Sequence, residues 1–185
     1  MFIFEVSVLS KEKLIEIYKD DFDSFFKVME KSFPEIERRT YEGQKELFDE
    51  WQFWVLGYKN NNNEVTAFIA FWEFDDFHFI EHFAVDEELR GNGIGSRFIK
   101  EFLNKSAKKT VLEVEYPEDE ISMRRIEFYR RIGMNINDYE YVQPPLQKGK
   151  ELLPLKIMSY PDNLDKAQFD YIRKELYDNV YKFKG

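Results

Sequence analysis

Leu14, Tyr18, Phe22, Phe25 and Met29 recur at intervals of three and four along residues 11–30, the spacing that gathers apolar side chains on one helical face, with Ser10 as a candidate cap. An early helix is predicted there. Residues 35–50 are rich in Glu, Arg, Lys and Gln and predict a second helix, weakened by Gly43. The character then changes. Residues 51–59, 65–75 and 77–85 are crowded with β-branched and aromatic side chains, joined by the turn-forming run Asn60-Asn61-Asn62-Asn63 and by Asp75-Asp76. An antiparallel meander follows. From Gly93 to about Ser106 the helical stripe returns as Ile94, Phe98, Ile99, Phe102 and Leu103, and 110–116 is again strand-like, so strand, helix and strand predict a parallel crossover. Pro117 stops that strand, 122–132 is a short basic helix ended by Gly133, and extended segments follow at 134–143 and 151–160. Phe169, Ile172, Leu176, Val180 and Phe183 then mark a packed helix within 162–183.

Composition bounds this picture without altering it. A chain of 185 residues that is 43% hydrophobic, with 19 Phe, 11 Tyr and 3 Trp, suits one well-buried core, and we expect a single domain over 1–185 with 162–183 as a helical extension. The absence of Cys excludes disulfides, thiolate metal sites and a cysteine nucleophile, and makes a cytoplasmic setting the default. Neither a basic leader with a long apolar run nor about 18 consecutive apolar residues occurs, so no membrane partner is expected. A formal charge of −9, from 36 acidic against 27 basic side chains, disfavours nucleic acid and favours cationic or amine partners, although surplus acid also serves simply as a soluble surface.

The candidate chemistry begins at Arg90-Gly91-Asn92-Gly93-Ile94-Gly95. Three glycines in five residues leave a backbone free to take positive φ and bare enough for a ligand to approach, just where the next helix offers unpaired N–H groups and a partial positive charge. Around it, residues 90–109 hold Arg90, Arg97, Lys100, Lys105, Lys108 and Lys109 against Glu101 alone. This pattern describes an anion site; the alternative is a glycine turn beside a solvated basic helix. No Gly-Lys-Ser/Thr follows, which excludes a P-loop. A dinucleotide fingerprint would need Gly or Ala where Ser96 stands and no spacer between strand and glycines, whereas Asp86-Glu87-Glu88-Leu89-Arg90 intervenes; Glu113, near where a ribose-binding acid would fall, keeps that alternative open.

Ala84-Val85-Asp86 followed by Arg90-Gly91-Asn92-Gly93-Ile94-Gly95 and a helix resembles the Arg/Gln-x-x-Gly-x-Gly/Ala signature of the GCN5-related N-acetyltransferases, the GNAT family. Phe128-Tyr129-Arg130-Arg131-Ile132-Gly133-Met134 resembles that family's second landmark, a helix with Tyr four residues before Gly. The likeness covers roughly residues 1–160. It implies an α/β fold with a mixed, mostly antiparallel twisted sheet of six to seven strands flanked by helices, splayed near Val85 and Glu115 to admit acetyl-CoA. It also implies backbone contacts from Phe83, Ala84 and Val85 to the pantetheine arm, with the pyrophosphate held by Arg90, Gly91, Asn92, Gly93, Ile94 and Gly95 and with Ser96 beside them. Ser122 and Arg125 stand where members often carry Asn and Ala, and the resemblance implies contacts to the pantetheine from them.

Acetyl transfer needs a neutral amine, a polarised thioester carbonyl and a proton for the departing thiolate. By resemblance, Tyr129 protonates the sulfur; the alternative is that it only packs. Glu81 lies four residues before Val85, so alternation places both on one face with Phe79 and Phe83, where a carboxylate desolvated by aromatics can accept the amine proton directly or through water. A structural ion pair is the equal alternative. His78-Phe79-Ile80-Glu81-His82 spells the zinc-peptidase pattern H-x-x-E-H, but that chemistry needs a helix. In a strand the two imidazoles lie roughly 13 Å apart at about 3.3 Å per residue, too far for one zinc. No metal is expected, and His78 and His82 are expected to face away from Glu81. The expected function is N-acetyl transfer from acetyl-CoA to a primary amine of a small molecule or peptide. A non-catalytic acyl-CoA-binding or interaction module, with the last helix as a dimer or partner surface, is the competing class.

Overall fold

The computed structural model describes residues 13–147 and 149–183. Strands β1 (Ile15–Glu16), β2 (Phe53–Lys59), β3 (Val65–Glu73), β4 (Phe77–Val85), β5 (Lys109–Val114), β6 (Asn135–Gln143) and β7 (Leu153–Tyr160) form one sheet in the order β1-β2-β3-β4-β5-β7-β6. Every pairing is antiparallel except β4 with β5. Five helices accompany it: α1 (Phe22–Ser32), α2 (Tyr41–Glu46), α3 (Ile94–Lys105), α4 (Glu120–Arg131) and α5 (Lys166–Glu175). Among the described residues no helix is long and apolar enough to cross a membrane.

The sheet separates two apolar layers. Phe22, Phe25, Phe26 and Met29 of α1 and Phe169 and Ile172 of α5 pack with Phe77 and Phe79 on one face. Ile94, Phe98, Ile99 and Phe102 of α3 and Ile126 of α4 pack with Ile80 and Leu112 on the other. Each of these buried side chains stabilises the fold by roughly 1.5–3 kcal/mol relative to exposure. The strand, helix and strand from β4 through α3 to β5 make the predicted parallel crossover.

The first two helices are shorter than the periodicity implies. The Ser10 cap and residues 11–12 lie outside the described residues. Ile15–Glu16 is extended against Leu56 and Gly57, Tyr18 is exposed, and α1 begins only at Phe22. The reason lies in Ile17: its N–H donates to the Val55 carbonyl at 2.8 Å, and its side chain seats over Gly57, where a Cβ would come within 2.9 Å of it. Anchoring Ile17 in the core favours an edge strand over another helical turn. Across 35–50 only Tyr41–Glu46 is α-helical, because Pro34 leads into a tight turn at Glu35–Glu37 and Thr40 starts a new helix by accepting from the Gly43 N–H at 3.1 Å.

Two features of the sheet prepare the site. Pairing of β4 with β5 stops at Ile80 and Leu112, although the strands run on to Val85 and Val114, so they splay apart beyond those residues. In addition, Ala70 pairs with His82 but Phe71 pairs with Ile80, which leaves Glu81 as the extra residue of a β-bulge in β4.

Candidate active site

The bulge reverses which way the end of β4 faces. Simple alternation groups Glu81 with Phe79, Phe83 and Val85, but one unpaired residue flips every side chain after it. Phe79 belongs to the α1 layer, while Phe83 and Val85 pack in the α3 layer. His82 is turned to the Glu81 side against expectation: its ring meets Phe33 edge-on, its Nε2 lies 2.7 Å from the Glu37 carbonyl, and its Nδ1 lies 3.9 Å from Glu81. His78 faces away, against Phe71 and Phe102. Burial pushes both imidazoles below their usual range, so they stay neutral.

Glu81 is occupied. Arg39 donates to its Oε1 at 2.6 Å, Trp72 Nε1 donates to its Oε2 at 3.3 Å, and only 1% of the side chain is exposed. The second Arg39 nitrogen donates to the Val180 carbonyl at 3.2 Å, which ties this pair to the C-terminal segment. Of the two roles weighed for Glu81, this geometry is that of the buried ion pair.

Beyond β4, Asp86 starts a short turn over Glu87–Leu89, and the glycine loop follows. Gly91 and Gly93 have φ of +85° and +73°, and Gly93 opens α3 with no side-chain cap, so the first helical N–H groups face the ligand side unpaired by the helix. Arg90 Nε donates to the Val85 carbonyl at 3.0 Å and braces the loop against the strand. Nothing lies within 4 Å of a Cβ built on Gly93, so Gly93→Ala is strained by its φ alone. We expect it to cost about 1–2 kcal/mol in chemical denaturation with the fold retained. Gly95→Ala, which meets Phe83 and Val85 at an ordinary 3.5 Å, should show no such penalty.

The basic run after the loop is not one patch. Lys105 pairs with Glu101 and Lys108 with Glu73, each at 2.8 Å, at the far end of a helix about 18 Å long. Arg124 and Arg125 of α4 line the same cleft as the loop instead. That helix begins with Asp119 and Ser122 capping each other and ends in a glycine turn: the Met134 N–H reaches the Tyr129 carbonyl at 3.1 Å and the Gly133 N–H reaches Arg130 at 3.0 Å, with Gly133 at φ +96°. The Tyr-to-Gly spacing therefore fixes Tyr129 in the last turn. Its ring packs edge-on to Phe128, its hydroxyl makes no hydrogen bond among the described residues, and burial pushes its pKa up to about 12.

A cleft of about 730 Å³ joins these parts. It brings together Glu81, Phe83, Ala84, Val85, Arg90, Gly91, Gly93, Ile94, Gly95, Ser96, Arg125 and Tyr129. Asn92 and Ser122 are not brought to it: Asn92 is exposed at the loop tip, and the Ser122 hydroxyl is buried in the helix cap, 3.0 Å from Asp119. A smaller cavity of about 70 Å³ continues past Glu81 and is lined by Glu37, Glu113 and Glu115 as well, with Arg125 held by Glu115.

Arg39, Arg124 and Tyr181 did not emerge from the sequence patterns as site residues, and Glu113 emerged only as the candidate ribose-binding acid of a dinucleotide site. A further signal for Glu113 was its place as a carboxylate inside the run Val111-Leu112-Glu113-Val114, where the flanking side chains are buried. It accepts from the Tyr141 hydroxyl, from the Tyr181 hydroxyl at 2.8 Å and from the Gln143 amide at 2.5 Å. Burial, reinforced by Glu81, pushes its pKa up to about 7 against the pull of those three donors.

The model of the acetyltransferase (GNAT) family matches residues 12–134. YjbC of Bacillus subtilis (strain 168), named as a candidate acetyltransferase, is 29% identical over 121 residues; the match spans 63% of this chain and 62% of that protein's length. A solved candidate acetyltransferase of the GNAT family from Bacteroides thetaiotaomicron aligns with a TM-score of 0.84 at 32% identity, over 93% of this chain and 99% of that one. NAA60 of Arabidopsis thaliana, solved with acetyl-CoA, shares the fold at a TM-score of 0.63 and 15% identity, over 81% and 98% of the two chains.

Proposed function

Because the chain belongs to the acetyltransferase (GNAT) family, we propose that it moves an acetyl group from acetyl-CoA to a primary amine of a small molecule or peptide by direct transfer. One observation carries this: a single cleft runs from the unpaired N-terminus of α3, between the splayed strands, to Tyr129. The loop suits the pyrophosphate, since N–H groups at a helix N-terminus favour anions. The backbone of Phe83, Ala84 and Val85 lies past the last β4–β5 pair and can pair with the amides of the pantetheine arm. Tyr129 then faces the sulfur as hydrogen-bond donor.

The acceptor end is acidic. Glu37, Glu81, Glu113 and Glu115 line the small cavity, and with Arg39 on Glu81 and Arg125 on Glu115 two carboxyls remain without a cation among the described residues, which supports a positively charged amine as acceptor. The absence of Cys fits a cytoplasmic setting for the same reaction.

The test is thiol release from acetyl-CoA across 1,4-diaminobutane, lysine amide and a peptide with a free N-terminus, with a thiol reagent that finds no Cys in the protein. Amine-dependent release is expected, strongest for the diamine and weakest for the peptide. Failure to bind coenzyme A in calorimetry would sink the proposal.

A further inference from the structure

Resting on the acetyl-transfer proposal above, we propose that Glu113, and not Glu81, receives the acceptor's proton, and that the C-terminal segment positions Glu113 through Tyr181. Both carboxylates border the cleft and the small cavity, but they are held in opposite ways. Glu81 has a guanidinium on it and 1% of its side chain exposed. Glu113 makes no ion pair among the described residues, and its donors are neutral: two tyrosine hydroxyls and an amide. A carboxylate bound by neutral donors keeps a site for a proton that an ion-paired one has yielded.

The groups around Glu113 agree with this assignment. From β4 come Glu81, with Arg39 behind it, and neutral His82. Along β5 stands Glu115, whose charge is met by Arg125 of α4. From β6 come Tyr141 and Gln143, and from the tail Tyr177 and Tyr181. Burial pushes all three tyrosines above their usual range, so they act as donors and not as charges. Burial favours a protonated Glu113, and the charge of Glu81, although paired with Arg39, acts in the same direction.

The tail is shaped for this contact. After α5 the helix widens over Leu176–Val180, with the Tyr181 N–H reaching the Leu176 carbonyl at 3.0 Å, a five-residue step that is uncommon and often local to functional sites. The Tyr181 hydroxyl then stands 2.8 Å from each Glu113 oxygen. In the reaction the acceptor arrives as an ammonium. Glu113 takes one proton, the freed amine forms the C–N bond as the C–S bond breaks, and the second nitrogen proton ends on the thiolate beside Tyr129. The proton on Glu113 returns to solvent.

The experiment follows kcat/KM against pH for whichever panel amine is acetylated fastest, with acetyl-CoA affinity measured in parallel. Activity should rise with pH through a midpoint near 7, because protonated Glu113 cannot accept. Glu113→Gln should lower kcat/KM by about 100-fold or more and abolish that midpoint, with acetyl-CoA binding within about twofold. Tyr181→Phe keeps the ring and removes one donor to the charged form, so the midpoint should move to higher pH. A ring lost only from packing would lower the rate without moving the midpoint. Carboxyl carbon NMR of δ-labelled glutamate, with the signal assigned by its loss in Glu113→Gln, reads the same midpoint without turnover. Full activity in Glu113→Gln, or a midpoint unmoved in Tyr181→Phe by both methods, overturns this assignment alone. Absence of transfer to every amine overturns the acetyl-transfer proposal and this assignment with it.

Discussion

Replacing Tyr129 by Phe is expected to lower kcat by about 10²–10³-fold while leaving acetyl-CoA affinity within about twofold. The ring is what packs, against Phe128 and the α3 layer, and Phe keeps it. What disappears is a hydroxyl that has no other partner among the described residues. Its pKa of about 12 lies well above that of a thiol, about 8.5, so the phenol keeps its proton and offers a hydrogen bond as charge gathers on sulfur. The sign follows from the direction of the shift: Tyr129 is neutral at every pH below about 11, so no loss of rate on the basic side up to that point should trace to it. Equal turnover in the variant would reduce Tyr129 to a packing residue.

Replacing Arg39 by Met is expected to cost about 3–5 kcal/mol in urea unfolding, because it leaves the Glu81 carboxylate buried without its cation. The Val180 carbonyl loses its donor at the same time. Adding Glu81→Gln to Arg39→Met should recover a large part of that loss, since the uncompensated charge is removed, and the double-mutant cycle reads the coupling directly. A loss below about 1 kcal/mol for the single variant would mean that water or another group reaches Glu81.

Most of the scaffold could be read in the chain. The β-rich run from Trp51 to Val85, the stripe of α3 and the crossover to β5 announce themselves because burial imposes periods of two and 3.6 on the side chains. The glycine loop and the Tyr-to-Gly spacing were also visible, since positive φ and a helix stop require particular residues. The bulge left no such mark. Nothing in Ile80-Glu81-His82 states that one residue is unpaired, and that residue decides which layer Phe83, Val85 and His82 join. Long-range partners are equally silent: the sequence gives no reason to connect Arg39 with Glu81, or Glu113 with Tyr181, until the sheet sets them side by side. The edge strand at Ile15–Glu16 was hidden for a different reason, as its apolar spacing fits a helix too and only the seat over Gly57 decides.

The contacts of the tail bear on the order in which the site can be completed as the chain is made. Every residue that lines the donor cleft lies between Ser32 and Tyr129, so that wall can assemble before α5 exists. The acceptor side cannot. Glu113 waits for Tyr181 across 68 residues, and Arg39 waits for Val180 across 141. A nascent chain that has released everything up to β7 would therefore own the cleft beside the glycine loop while Glu113 and Arg39 still lack these partners, which arrive only with the segment after α5.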